Sequence, residues 1–88
     1  MEELLELRKK LDVIDKELAE LFEKRMEVIE QVRQCKLKND LPILDSSREK
    51  KMKENNNTYI KNKEFVPYYE EFLKGVTTIS KQYMQDKK

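Results

Sequence analysis

Residues 2–38 read EELLELRKKLDVIDKELAELFEKRMEVIEQVRQCKLK, and this stretch decides the fold of the chain. Apolar residues recur in it at alternating steps of three and four: Leu4, Leu7, Leu11, Ile14, Leu18, Leu21, Val28, Val32 and Cys35. This a/d heptad pattern predicts one long helix, about 55 Å at 1.5 Å per residue, that docks against other helices. Asn39, Asp40 and Pro42 are expected to end it.

One position breaks the pattern, because the apolar slot between Leu21 and Val28 holds Arg25. A guanidinium in a helix seam loses hydration and needs an anion beside it. The anion is either a ligand or a neighbouring glutamate, unless Arg25 extends into solvent. Periodicity alone favours these structural alternatives over ligand binding, and more strongly still for Arg8 and Lys36.

Two shorter helices are expected after the long one. Ser46 and Glu49 fit a capping box, so a second helix should span about 46–61, ending no earlier than Asn55. Pro67 suits the first turn of a third helix over about 65–86, and Gly75 inside it is expected to mark a close helix crossing. We therefore predict an all-α fold in a single domain, residues 1–88. The long helix should find its main partner in a second copy of itself.

Composition excludes several functional classes. The 19 basic and 18 acidic residues nearly balance, which leaves no basic field for nucleic acid or an anionic membrane. The absence of histidine removes the commonest general base and metal ligand. The single cysteine allows no disulfide within the chain and predicts a reducing cytoplasm, with Cys35 packed as a small core residue. No apolar run is long enough for a signal peptide or a membrane span.

Three cations on the long helix are candidates for a shared anion site. Lys36 follows Arg25 by 11 residues, close to whole turns, so the two share a face about 16 Å apart. Arg8 precedes Arg25 by 17 residues, roughly 25 Å, and cannot reach the same small molecule from one straight helix. If two such helices pair antiparallel, Arg8 of one comes near the other two cations of its partner. Solvated surface charges are the alternative.

Two further groups of residues have both a functional and a structural interpretation. Asp45, Arg48 and Glu49 lie at the start of the second helix, where free N–H groups suit an anion or a hydroxyl. Ordinary capping is the alternative there. On the third helix Ser80 interrupts the apolar face, with Met84 one turn later, and a hydroxyl bonded to its own helix is the alternative for Ser80.

Together these residues resemble the all-helical (AroQ-type) chorismate mutases. Residues 5–15, LELRKKLDVID, resemble the family's opening LRxxIDxID pattern. Leu18, Leu21 and residues 23–25, EKR, resemble its LLxxR element, and Val32 with residues 35–36, CK, resembles its VxxxK element. Residues 41–49, LPILDSSRE, resemble its PIxDxxRE element, which is specific when it follows a long helix carrying the other two. The resemblance covers nearly the whole chain.

The resemblance implies an intertwined helical homodimer with two active sites. It implies conversion of chorismate to prephenate, on the route to phenylalanine and tyrosine, without a cofactor. By the same resemblance, Arg8 would cross from the partner chain to one substrate carboxylate and Arg25 would bind a carboxylate within its own chain. Lys36 would contact a carboxylate and the ether oxygen.

The remaining site residues follow from the same resemblance. Asp45, Arg48 and Glu49 would hold the ring hydroxyl and orient the substrate, and Ser80 would contact the ring carboxylate. Met84 stands where the family usually has Gln or Glu as a second donor to the ether oxygen, and a thioether cannot donate. Two other functions stay open for this scaffold: a non-catalytic dimerisation or effector-binding module, and a lyase acting on isochorismate.

Overall fold

A computed structural model describes residues 1–43 and 46–87 of the chain. Three helices follow one another there: α1 (Glu2–Lys38), α2 (Ser46–Asn57) and α3 (Val66–Asp86), with a 3-10 turn at Lys63–Phe65 before α3. The described residues contain no strand, which confirms the predicted all-α class and the order of one long and two shorter helices. Along its longest dimension the chain measures 56 Å, the length expected of α1.

No helix within the described ranges has both the length and the apolar character that crossing a lipid bilayer requires.

The C-terminal end of α1 turns the chain back toward the helix. Asp40 adopts a left-handed backbone conformation with φ 54°. The N–H groups of Asp40 and Leu41 bond to the carbonyls of Leu37 and Lys36 at 3.3 and 2.8 Å, which forms a Schellman motif. The reversal brings the carbonyl oxygen of Ile43 to 2.6 Å from Lys36 Nζ.

α2 ends within the predicted interval of residues 55–61. Its last residue is Asn57, and the N–H groups of residues 58–60 bond to carbonyls only three residues back. The Thr58 hydroxyl donates to the carbonyl of Asn55 at 2.6 Å. Polar side chains that bond to nearby backbone compete with the helical pattern, so the run of asparagines followed by threonine unwinds the helix.

α3 is the element on which the others pack. The α1 and α2 backbones each approach α3, whereas within the described residues they do not come within 8 Å of each other (Cα–Cα). All the buried residues among those described lie on α3: Leu73, Ser80 and Met84. The prediction that Gly75 marks a close crossing is wrong within the chain, because a Cβ there would meet nothing within 4 Å.

α1 buries none of its residues in the single chain. The apolar stripe of its first half remains 41–60% exposed, at Leu4, Leu7, Leu11, Ile14, Leu18 and Leu21. Cys35 is exposed as well, so the prediction that it packs in a core is wrong for the single chain. A long apolar stripe on one helix face is typical of a surface that another helix covers.

Candidate active site

Residues of all three helices line a cavity of about 170 Å³. Because α1 and α2 both pack on α3 without close approach to each other, a gap remains beside α3. Six of the eight residues predicted from the sequence line this cavity: Arg25, Lys36, Arg48, Glu49, Ser80 and Met84. The fold therefore brings together side chains that lie up to 59 positions apart in the sequence, Arg25 and Met84.

Arg25 projects from α1 toward α3. Its Nη1 donates a hydrogen bond to Ser80 Oγ, and its Nη2 lies 3.8 Å from Met52 Sδ on α2. Within residues 1–43 and 46–87 no carboxylate forms an ion pair with it. The pKa of Arg25 is lowered from its ordinary value, first by burial and then by the positive charge of Arg48. Both causes disfavour the charged form of Arg25. An anion bound beside the guanidinium would offset both effects and would therefore be attracted to this position.

Lys36 lies on the same side of α1 and reaches the turn that follows the helix. Its Nζ donates to the carbonyl oxygen of Ile43 at 2.6 Å, and Ile43 itself lines the cavity. This bond fixes the ammonium group at the cavity edge. Because a carbonyl carries no net charge, the Ile43 oxygen does not neutralise the positive charge of Lys36.

The first turn of α2 contributes Arg48 and Glu49. Glu49 Oε1 forms an ion pair with Lys81 Nζ of α3 at 2.8 Å, and Lys81 also lines the cavity. Among the described lining residues, four side chains are therefore cationic (Arg25, Lys36, Arg48 and Lys81) and one is anionic. The cavity carries an excess of positive charge over a partly apolar surface.

Ser80 makes two hydrogen bonds within the chain, one of them the bond to its own helix that the sequence left open. Its hydroxyl donates back to the carbonyl of Val76 at 2.9 Å, as a serine in a helix commonly does. The same oxygen accepts the hydrogen bond from Arg25. Ser80 is 5% exposed and Met84, one turn further along α3, is 6% exposed. Met84 presents a thioether to the cavity, which supplies no hydrogen-bond donor.

Of the other two predicted residues, one lies away from this cavity and one lies outside the described residues. Arg8 lies on the exposed first half of α1, roughly 25 Å from Arg25 along the helix, and does not line the cavity of its own chain. Asp45 lies outside the described residues, as does the side chain of Ser46 that was expected to cap α2.

Sequence reasoning missed Lys81 and Met52. Lys81 follows Ser80 directly and gave no signal, because a lysine beside an apolar stripe is usually solvated. Met52 did give a signal, since it is the only apolar residue in α2, whose sequence is SSREKKMKENNN. The one apolar side chain of a helix is the one expected to face the rest of the protein.

The fold and the cavity define an all-helical chain with a cation-lined gap between its helices, which is complementary in charge to a small anionic molecule. Over residues 7–85 the chain matches the family described as Chorismate mutase type II, and it belongs to that family. The family predicted from the sequence is confirmed, and it is a family of isomerases.

One curated relative aligns with part of the chain. The T-protein of Haemophilus influenzae is 45% identical over 49 residues, which is 56% of this chain and 13% of the relative. The chain thus aligns with about an eighth of that protein's length. No solved structure gives a significant match.

Proposed function

We propose that the chain catalyses the rearrangement of chorismate to prephenate in phenylalanine and tyrosine biosynthesis. The observation that carries this proposal is the cavity in which Arg25, Lys36, Arg48 and Lys81 outnumber the single described carboxylate of Glu49. Chorismate carries two carboxylates, so its charge is complementary to this excess. The membership of the chain in the chorismate mutase type II family supports the same substrate.

The proposed roles follow the geometry of the cavity. Arg25, partly buried and hydrogen-bonded to Ser80, binds one substrate carboxylate. Lys36 binds a carboxylate and the ether oxygen from the edge of the cavity. Arg48 and Glu49, in the first turn of α2, orient the ring and its hydroxyl. Ser80 contacts the ring carboxylate.

The reaction suits these residues because it is intramolecular. One C–O bond breaks while one C–C bond forms, so neither a nucleophile nor a proton transfer is required. The protein has to hold a flexible dianion in its compact, reactive conformation. It also has to place positive charge where the ether oxygen gains negative charge, and fixed cations between helices do this without reorganisation.

We further propose that the site is completed by a second copy of the chain. The exposed stripe on the first half of α1 is the surface that the second copy covers. An antiparallel pair of α1 helices centred near residue 20, the midpoint of α1, sets residue 8 of one helix level with residue 32 of the other. Val32 lines the cavity, so Arg8 of the partner chain arrives between the levels of Arg25 and Lys36.

A spectroscopic assay on the purified chain tests the activity. Loss of chorismate with formation of prephenate supports the proposal. Release of pyruvate from isochorismate would instead indicate a lyase. Tight binding of a bicyclic dianionic mimic of the transition state without turnover would indicate a binding module.

Subunit complementation tests the shared site. Arg8→Ala and Arg25→Leu should each be inactive alone. After the two variants are unfolded together and refolded, half of the dimers should be mixed, and each mixed dimer has one site with both arginines intact. About a quarter of the wild-type activity should return, whereas a site built within one chain would recover none.

A further inference from the structure

The placement of α2 depends on polar contacts more than on apolar packing. With Met52 as its only apolar side chain, α2 is joined to α3 by polar pairs along its length. Glu49 pairs with Lys81 at 2.8 Å and Lys53 with Glu70 at 4.0 Å, and the side-chain amide of Asn57 donates to Glu70 at 3.0 Å. A carboxylate on such a helix is oriented by its ion pair.

The pair formed by Glu49 and Lys81 differs from the others in its location. Both of its residues line the cavity, whereas Lys53 and Glu70 do not. Its two side chains are 32% and 36% exposed, so solvent screens the pair only in part. At 2.8 Å it is a charge-assisted hydrogen bond, which fixes direction as well as distance.

We propose that Lys81 is a positioning residue for the reaction, which rests on the proposed function of the cavity. Lys81 holds the Glu49 carboxylate in the orientation that receives the substrate hydroxyl, and it acts through Glu49 without touching substrate. Sequence position does not reveal this role, since the two residues are 32 positions apart and lie on different helices.

Removal of the ammonium group tests the proposal. Lys81→Met keeps the approximate length of the side chain and should raise KM about fivefold, with kcat within about twofold of wild type. The reason is that a less well oriented Glu49 weakens binding of the substrate and of the transition state equally. Lys81→Arg retains a donor and should restore KM to within about twofold. A merely structural role would lower apparent kcat at unchanged KM, since fewer molecules would be folded.

A matched control and a double-mutant cycle complete the test. Lys53→Met also removes an ion pair between α2 and α3, but away from the cavity, and KM should remain within about twofold of wild type. In a Glu49→Gln background, Lys81→Met should raise KM by less than about twofold, because the carboxylate through which Lys81 acts has already been removed. A full fivefold effect in that background would overturn the proposal and make Lys81 a direct ligand of substrate.

A binding measurement keeps this result separate from the proposed activity. Calorimetric affinity for the bicyclic dianionic mimic should fall about fivefold in Lys81→Met and return in Lys81→Arg, even if the wild-type chain does not turn over chorismate. Absent turnover with this pattern of affinity would reject the activity and retain the role of Lys81. Unchanged affinity in Lys81→Met would reject that role.

Discussion

Replacing Arg25 by leucine separates the effect of the guanidinium on the stability of the folded chain from its effect on ligand binding and catalysis. In the unliganded chain Arg25→Leu loses the hydrogen bond to Ser80, about 1.5 kcal/mol for a charged donor that is only partly buried, while Ser80 keeps its bond to the Val76 carbonyl. Against this loss, the variant removes a partly buried cation that Arg48 repels, and it adds an apolar side chain beside Met52. These gains match or exceed the loss.

The unliganded variant should therefore be as stable as wild type, or more stable by up to about 1 kcal/mol. For a domain of this size that is a rise in Tm of at most about 8 °C. Catalysis should respond in the opposite direction. Removal of one preorganised donor to a developing charge costs about 10² to 10³ in rate, so kcat/KM should fall by at least that factor.

Thermal unfolding with and without the bicyclic dianionic mimic measures both effects. At 100 times its Kd, the ligand should stabilise wild type by about 2.7 kcal/mol through mass action, and it should leave Arg25→Leu unchanged. Arg33→Leu is the matched control on the same helix. Arg33 donates two hydrogen bonds of 2.7 Å to Glu30 and does not line the cavity. This variant should therefore have a lower Tm than wild type but the same stabilisation by ligand.

A large drop in the unliganded Tm of Arg25→Leu would refute the reasoning. It would mean that Arg25 is a structural partner whose charge the free protein needs. The same conclusion would follow if Arg25→Leu and Arg33→Leu lost similar stability and similar ligand response.

Three further predictions concern Met84, Gly75 and Glu30. Met84→Gln places a donor at a cavity position that has none and should raise kcat, by about tenfold if the amide reaches the ether oxygen; an unchanged or lower rate would count against it. Gly75→Ala should raise stability by about 0.5–1 kcal/mol, because the added Cβ meets nothing within 4 Å; a fall in Tm would place a second copy close to Gly75. Arg33, by its hydrogen bond above all, lowers the pKa of Glu30 from 4.5 to about 2. Since the folded-state pKa is the lower one, the stabilisation is complete above about pH 4.5 and is lost as the pH falls toward 2. Glu30→Gln should thus have a lower Tm than wild type at pH 6, a gap that closes by about pH 2; a constant gap would contradict the assignment.

The helices were predictable because their signals are local. The heptad stripe and the breakers after Lys38 set α1, and its observed bounds, Glu2–Lys38, are those predicted. The end of α2 was predicted only to within residues 55–61, because helix propensity does not show that the Thr58 hydroxyl bonds to the Asn55 carbonyl and ends the helix at Asn57. The prediction of a close helix crossing at Gly75 was wrong within the chain, because a glycine in a helix permits close approach of another helix but does not identify that helix.

The sequence by itself determined that Arg25 occupies an apolar slot and therefore needs an anion or a polar partner. Helical periodicity fixes which residues share a face, and it does so over any length of helix. Only the tertiary structure decided that this partner is Ser80, 55 positions away, and that Lys81 holds Glu49 across the gap between two helices. Contacts of that kind depend on how separate helices are placed against α3, which packing of the whole chain sets and no local pattern encodes.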